Sequence, residues 1–98
     1  MSGTNGNGHS GWVVEESDSF AEDRAELERQ HPRLHAVLEV VCRQFERLPD
    51  LNSRKLVENQ EVWLYRTRWA LGAPPVFIYY EVVESERLVY LLALHLAE

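Results

Sequence analysis

Cysteine and long apolar runs are scarce in this sequence. Cys42 is the only cysteine, so neither an internal disulfide nor a cysteine-based zinc site can form within the chain. The longest apolar stretches, such as residues 88–94, are far shorter than the roughly 20 residues of a membrane-spanning helix, and no signal-peptide pattern is present. These absences predict a soluble cytoplasmic protein that does not contact a membrane.

An excess of basic side chains is also absent. The formal net charge of −6 argues against a surface that collects nucleic acid by bulk electrostatic attraction. The charge is uneven along the chain, because residues 1–30 carry seven acidic and two basic side chains, whereas residues 31–98 carry nine and eight. The later segment is nearly neutral and leaves room for a local basic patch.

Motifs for cofactors and metals are lacking as well. The sequence has no glycine-rich phosphate loop and no serine-nucleophile elbow. His31 and His35 have a spacing that can bind a metal within one helix, but Pro32 interrupts that helix and no third ligand is evident. We therefore expect no cofactor and no metal site.

The composition of the chain predicts one compact domain that follows an N-terminal tail. Residues 1–10 are mainly glycine, serine, asparagine and threonine, which predicts a disordered N-terminal tail, and residues 11–98 form the domain. The short run Trp12-Val13-Val14 predicts a first strand. Ser19 and Glu22 have the spacing of a capping box, so a first helix should begin there and end at the pair His31-Pro32.

A second helix is predicted from Pro32 to the stop at Pro49 and Asp50. Its apolar residues recur at offsets that form one buried stripe, which consists of Leu34, Val37, Leu38, Val41, Phe45 and Leu48. From Glu61 onward the period becomes β-like in three runs, residues 62–70, 76–83 and 88–94. Short connections make these runs an antiparallel meander. The prediction is an α+β fold of order β-α-α-β-β-β, with a helical hairpin packed on a small antiparallel sheet.

Three segments, taken with this element order, resemble the RelE/ParE toxin superfamily over residues 11–98. They are WVVEESDSF at residues 12–20, LYRTRW at 64–69 and VFIYYEV at 76–82. Arg66 and Arg68 match the superfamily's paired basic residues, and His95 lies near the position of a histidine in some relatives. The resemblance implies a toxin of a type II toxin–antitoxin system, held by an antitoxin protein, in which these three residues act in ribosome-dependent mRNA cleavage.

The residues themselves fit that chemistry. Strand side chains alternate, so Arg66 and Arg68 should project from one face about 7 Å apart and bracket phosphates with planar donors. A histidine side chain titrates near neutral pH and can move a proton. The alternatives are a solvated strand face whose arginines pair with Glu61 or Glu81, and an ordinary histidine at a strand end.

Further residues are candidates for RNA or partner binding. Arg54 and Lys55 should lie in a loop before the second strand, where they either extend the basic patch or are simply solvated. Tyr79 and Tyr80 should point to opposite faces, so that one enters the core and the other stacks on a base or partner. We assign Tyr80 to this binding role.

Departures from the superfamily pattern keep two rival functions open. Pro74-Pro75 replace an arginine of relatives, Leu96 replaces another, and the C-terminal tyrosine or histidine of several nucleases has no counterpart up to Glu98. Reduced or lost cleavage would follow. The rivals are a ParE-like module that inhibits DNA gyrase by contact, and a degenerate member of the superfamily that only binds proteins.

Overall fold

Two helices and five strands make up the part of the chain that the computed structural model describes, which is residues 11–49, 53–56 and 61–97. In chain order they are β1 Val13–Glu16, α1 Asp18–Gln30, α2 Leu34–Phe45, β2 Ser53–Lys55, β3 Val62–Arg66, β4 Val76–Val83 and β5 Leu88–Leu96, with a short 3₁₀ turn at Glu84–Glu86. The predicted tail, residues 1–10, and Asp50 lie outside the described residues.

The strands form one sheet in the order β1-β5-β4-β3-β2. The predicted meander of β3, β4 and β5 is confirmed, with antiparallel pairing throughout. β1 joins the far edge and runs parallel to β5, and β2 adds a fifth strand at the other edge. The α+β fold is therefore as predicted, while the sheet is larger and mixed rather than purely antiparallel.

Both helices pack on one face of this sheet. The buried stripe of α2 ends in Phe45, which is fully buried and whose ring lies 5.6 Å from that of Tyr65 and 4.5 Å from that of Tyr80. α1 buries Phe20 and packs Leu27 against the same core. Because the helices share one side, no element among the described residues covers the opposite face, which we call the open face.

Three predicted element boundaries need correction. α1 begins at Asp18 rather than at the Ser19 capping box, because the Ser17 hydroxyl accepts a hydrogen bond from the Phe20 amide at 3.0 Å. α2 starts at Leu34, two residues after Pro32, and ends at Phe45, so Leu48 lies beyond the helix and is 54% exposed instead of buried.

The strand predicted over residues 62–70 is also too long. β3 ends at Arg66, and the chain then leaves the sheet toward a tight turn in which the Ala70 and Ala73 backbones bond to each other. The two residues within that turn, Leu71 and Gly72, both have positive φ, at 54° and 80°. This backbone geometry suits a two-residue hairpin turn.

Where β1 stops pairing, Ser17 and Asp23 form hydrogen bonds with backbone groups of β5. The Ser17 amide donates to the Leu91 carbonyl at 2.9 Å, and the Ser17 hydroxyl donates to the Leu92 carbonyl at 3.2 Å. The Asp23 carboxylate then accepts from the Leu94 amide at 3.1 Å. α1 is thereby fixed along β5, the strand that carries His95.

Arg24 connects β1 to both helices. Its guanidinium donates to Glu28 at 2.6 Å, to Glu16 at 2.7 Å and to Glu39 at 3.3 Å. Burial opposes its charged form, but the hydrogen bonds to Glu28 and Glu16 prevail and raise the pKa of Arg24. In the described part of the chain, neither helix is long and apolar enough to cross a membrane.

Candidate functional site

The open face presents a row of three side chains across three strands. Arg66 on β3 is directly opposite Phe77 on β4, and Phe77 is directly opposite His95 on β5. Residues paired in this way point to the same face of a sheet, and neighbouring strands lie about 4.8 Å apart, so the Cα atoms of Arg66 and His95 are roughly 10 Å apart. Arg66 and His95 therefore flank Phe77 on one surface.

Arg54 lies on the same face at the edge of the sheet. Its partner in the register is Leu64, which points to the open face two residues before Arg66. Arg54, Leu64, Arg66 and Phe77 line a shallow hollow of about 360 Å³ together with Ser53. The Arg66 guanidinium stands 5.9 Å from the centre of the Phe77 ring, which is the range of a cation–π contact. Two guanidinium groups therefore flank one aromatic surface.

Tyr79 completes this cluster on the side of His95. The two rings meet edge to face with their centres 5.7 Å apart. His95 remains exposed while Tyr79 is half-buried between the strands. An exposed imidazole that rests against an aromatic ring is oriented without losing access to a ligand, so it can exchange a proton with a bound molecule.

Arg68 is not part of that row. It lies two residues beyond the end of β3, and between it and Arg66 the Thr67 side chain is buried, with its hydroxyl accepting from the Val76 amide at 2.8 Å. Arg66 and Arg68 are both exposed, as alternation predicts, but Arg68 faces a different cavity, between α2 and the turn after β3. Arg66 lines both cavities.

Lys55 lies in β2 rather than in the predicted loop, and it does not join the basic patch. Its register partner is Trp63, which points to the helix side, and its ammonium donates to Glu61 at 2.7 Å. That hydrogen bond holds the pKa of Glu61 below its usual value. Arg54 and Lys55 therefore lie on opposite faces of the sheet. Arg54 is on the open face, and the charge of Lys55 on the other face is neutralised by Glu61.

Tyr80 is in the core, where it cannot stack on a base or a partner. Its side chain is fully buried, and its hydroxyl donates to the Pro49 carbonyl and lies 2.5 Å from Ser53 Oγ. The prediction that Tyr80 binds RNA or a partner is therefore wrong, because its side chain is buried. Of the two neighbouring tyrosines, Tyr79 is the one on the open face.

Phe77 is a site residue that was not predicted from the sequence, and Tyr79 takes the place that was assigned to Tyr80. A signal for them is present in β4, because Val76, Ile78, Tyr80 and Val82 alternate with Phe77, Tyr79 and Glu81. A charged Glu81 marks the second set as the solvent side. Among the described residues, no group of three or more histidine, cysteine, aspartate or glutamate side chains is arranged to hold a metal ion.

Comparisons with known proteins point to one fold. No protein-family model matches the chain, and no curated protein matches it. Among solved structures, it is similar to a chain of the toxin–antitoxin complex RelBE2 from Mycobacterium tuberculosis, with a TM-score of 0.68 over 88% of this chain and 91% of that chain. Sequence identity is 17%, so the likeness shows a RelE-like α+β fold.

Proposed function

We propose that this protein, which has the RelE-like fold, is the toxin of a type II toxin–antitoxin system and cleaves ribosome-bound mRNA on its open face. The observation that carries the proposal is the row of Arg66, Phe77 and His95 across three adjacent strands, with Arg54 at its edge. The similar structure belongs to a toxin–antitoxin complex, which supports this role and an antitoxin as the partner.

The open face suits single-stranded RNA. Guanidinium groups bind phosphate oxygens with two parallel hydrogen bonds, and unstacked bases pack on aromatic rings. Arg54 and Arg66 supply the first kind of contact, and Phe77 and Tyr79 supply the second. Recognition would be local, since the net charge of −6 disfavours attraction of RNA to the protein as a whole.

Cleavage would proceed by attack of a ribose 2′-hydroxyl on the adjacent phosphorus. His95 accepts the hydroxyl proton, the oxygen forms a bond to phosphorus, and the bond from phosphorus to the 5′-oxygen breaks while that oxygen takes a proton from water. The products are a 2′,3′-cyclic phosphate and a 5′-hydroxyl end. Arg66 stabilises the extra negative charge on the phosphate in the transition state.

The test is mRNA cleavage in a cell-free translation reaction, mapped by primer extension. Arg66→Ala and His95→Ala should each lower the cleavage rate about a hundredfold, because each removes charge stabilisation or proton transfer. Arg43→Ala is the matched control, since Arg43 is an exposed arginine on α2, on the other side of the sheet. Absence of cleavage by the wild type, or equal rates in all three variants, would refute the proposal.

A second candidate, contact inhibition of DNA gyrase, is favoured by the apolar character of the same face. Leu64 and Phe77 are half-buried and lie beside Arg66. A surface that combines apolar side chains with an arginine can also bind another protein, and inhibition by contact needs no proton transfer. Inhibition of gyrase supercoiling by the purified chain, unaffected by His95→Ala and without RNA cleavage, would favour this candidate.

A further inference from the structure

A register shift in β5 decides which way the last residues of that strand point. In the pairing of β4 with β5, Tyr80 is opposite Leu91. The preceding residue of β4, Tyr79, is opposite Ala93, which leaves Leu92 without a partner on β4. Such an extra residue is a β-bulge, and it reverses the alternation of side chains for the residues that follow it.

This bulge brings His95 to the open face. Leu91, before the bulge, is buried in the core, and a regular strand would place His95 on the same side because side chains alternate with a period of two. After the bulge the residue that enters the core is Leu94, and His95 lies opposite Phe77. The place of His95 in the row on the open face therefore depends on one extra residue in β5.

α1 holds the bulged part of β5 at the edge where β1 has ended. β1 pairs with β5 only as far as Leu91. Beyond that point the Ser17 hydroxyl donates to the Leu92 carbonyl at 3.2 Å, and the Asp23 carboxylate accepts from the Leu94 amide at 3.1 Å. The two side chains thus take hydrogen-bonding positions that a longer β1 would fill. Both are half-buried, so water competes less for these bonds.

The Ser17 hydroxyl joins the bulge to the start of α1. It accepts from the Phe20 amide at 3.0 Å, which caps the helix, and it donates its only proton to the Leu92 carbonyl. Asp23, further along the same helix, binds the residue that enters the core just before His95. One helix therefore fixes β5 on both sides of the place where the alternation changes.

We propose that Ser17 and Asp23 are positioning residues for His95, which hold the bulge at Leu92 and thereby fix the direction of the imidazole. The catalytic consequence rests on the proposed function. A displacement of about 1 Å between reacting groups costs about a hundredfold in rate. Burial of Leu94 also resists a slip of the register, so the loss of either side-chain hydrogen bond should cost about tenfold.

Four substitutions separate this role from simple support of α1. Ser17→Asp keeps an acceptor for the helix start, where aspartate is a preferred residue, but has no proton to donate to the Leu92 carbonyl. Ser17→Asn keeps an acceptor and also has a donor. Asp23→Leu removes the acceptor for the Leu94 amide while keeping a branched side chain, whereas Asp23→Asn retains an oxygen that can accept.

The first measurement is the nuclear Overhauser effect between the rings of His95 and Tyr79, whose centres lie 5.7 Å apart. The signals of His95 are assigned with His95→Ala. Ser17→Asp and Asp23→Leu should lose most of this effect, and both asparagine variants should retain it. Ser19→Asp and Glu22→Leu are the matched controls, because they make the same changes of charge at exposed positions of α1, and they should retain it too.

The second measurement is mRNA cleavage in the cell-free translation reaction at increasing ribosome concentration. Ser17→Asp and Asp23→Leu should lower the maximum rate about tenfold. The ribosome concentration that gives half of the maximum rate should not change, because Arg54 and Arg66 still bind phosphate. The asparagine variants should restore most of the rate.

The proposal is overturned if Ser17→Asp and Asp23→Leu keep both the ring contact and the wild-type rate. It is also overturned if the asparagine variants lose as much as these two, since support of α1 would then explain the losses. A higher half-saturating concentration with an unchanged maximum rate would indicate a contact with RNA and would overturn it as well. If the wild type cleaves no RNA, but Ser17→Asp and Asp23→Leu still lose the ring contact, the positioning of His95 stands and only the proposed function is rejected.

Discussion

Removal of one buried hydroxyl, by Tyr80→Phe, should weaken the fold at the edge that carries Arg54. The Tyr80 hydroxyl joins β4 to the chain after α2 through the Pro49 carbonyl, and to β2 through Ser53. Phenylalanine keeps the ring and its packing on Phe45. The change therefore isolates the polar contacts from the apolar ones.

The expected loss follows from the burial of these groups. Tyr80 is fully buried, so the Pro49 carbonyl loses this donor in a place where water does not easily replace it. Such a loss costs about 1–3 kcal/mol of the free energy of unfolding. For a domain of this size the melting temperature should fall by about 5–20 °C. A stability of about 5–15 kcal/mol leaves the variant folded and measurable.

Urea unfolding followed by tryptophan fluorescence measures this loss, with an unchanged slope against denaturant expected for both proteins. Tyr79→Phe is the control, because the hydroxyl of Tyr79 on the open face makes no hydrogen bond to the described residues, and its effect should stay within about 0.5 kcal/mol. If both variants unfold at the same urea concentration, the Tyr80 hydroxyl does not hold β2, and the reasoning fails.

Two further predictions concern the cluster around Arg24. Arg24→Met should lower the free energy of unfolding by about 1–2 kcal/mol, because it leaves the carboxylates of Glu16, Glu28 and Glu39 close together. This loss should be smaller in high salt, since screening weakens the repulsion between the carboxylates. Urea unfolding at two salt concentrations measures the loss, and equal losses at both would contradict the prediction. Burial raises the pKa of the nearby Cys42 thiol to about 11 from 9.0, so at pH 8 its thiolate population should be about a hundredfold lower than in the unfolded chain, with correspondingly slow alkylation by iodoacetamide. Since the unfolded thiol ionises first as pH rises, this group should also make the folded state less stable between pH 9 and pH 11. Alkylation of the native protein at the rate of the unfolded chain would show that the fold does not raise the pKa of Cys42.

The long elements were predictable because each has a strong period of its own. The stripe from Leu34 to Phe45 can be buried only as a helix, and the run that became β4 is rich in β-branched and aromatic residues. The run that became β5 is mainly leucine, and its short connection to β4 is what favours a strand. β2 was missed because Ser53, Arg54 and Lys55 have no strand preference. Their conformation depends on pairing with β3 and on the contact between Ser53 and Tyr80, which no local pattern contains.

The site was predictable only in part for a similar reason. Arg66 belongs to a strand whose alternation assigns it to the open face. For His95, alternation along β5 from the buried Val89 and Leu91 would give the core face, and only the register shift opposite Tyr79 and Tyr80 brings it to the open face. Arg68 was assigned to the same strand as Arg66, but that strand ends at Arg66. The connection at residues 71–75 was expected, whereas the departure of residues 67–70 from the strand is marked by no breaker such as glycine or proline within them. Tyr79 and Tyr80 could have been separated from the sequence, because Tyr79 alternates in step with the charged Glu81 and Tyr80 with the apolar Ile78 and Val82.

The parallel pairing of β1 with β5 has a consequence for synthesis of this protein. A ribosome releases β1 early, but the strand against which it pairs emerges last among the described elements. Closing so long a loop is slow, and the nascent chain cannot complete its sheet until translation has passed His95. The histidine and the arginine of the open face therefore first meet when nearly the whole domain has left the exit tunnel.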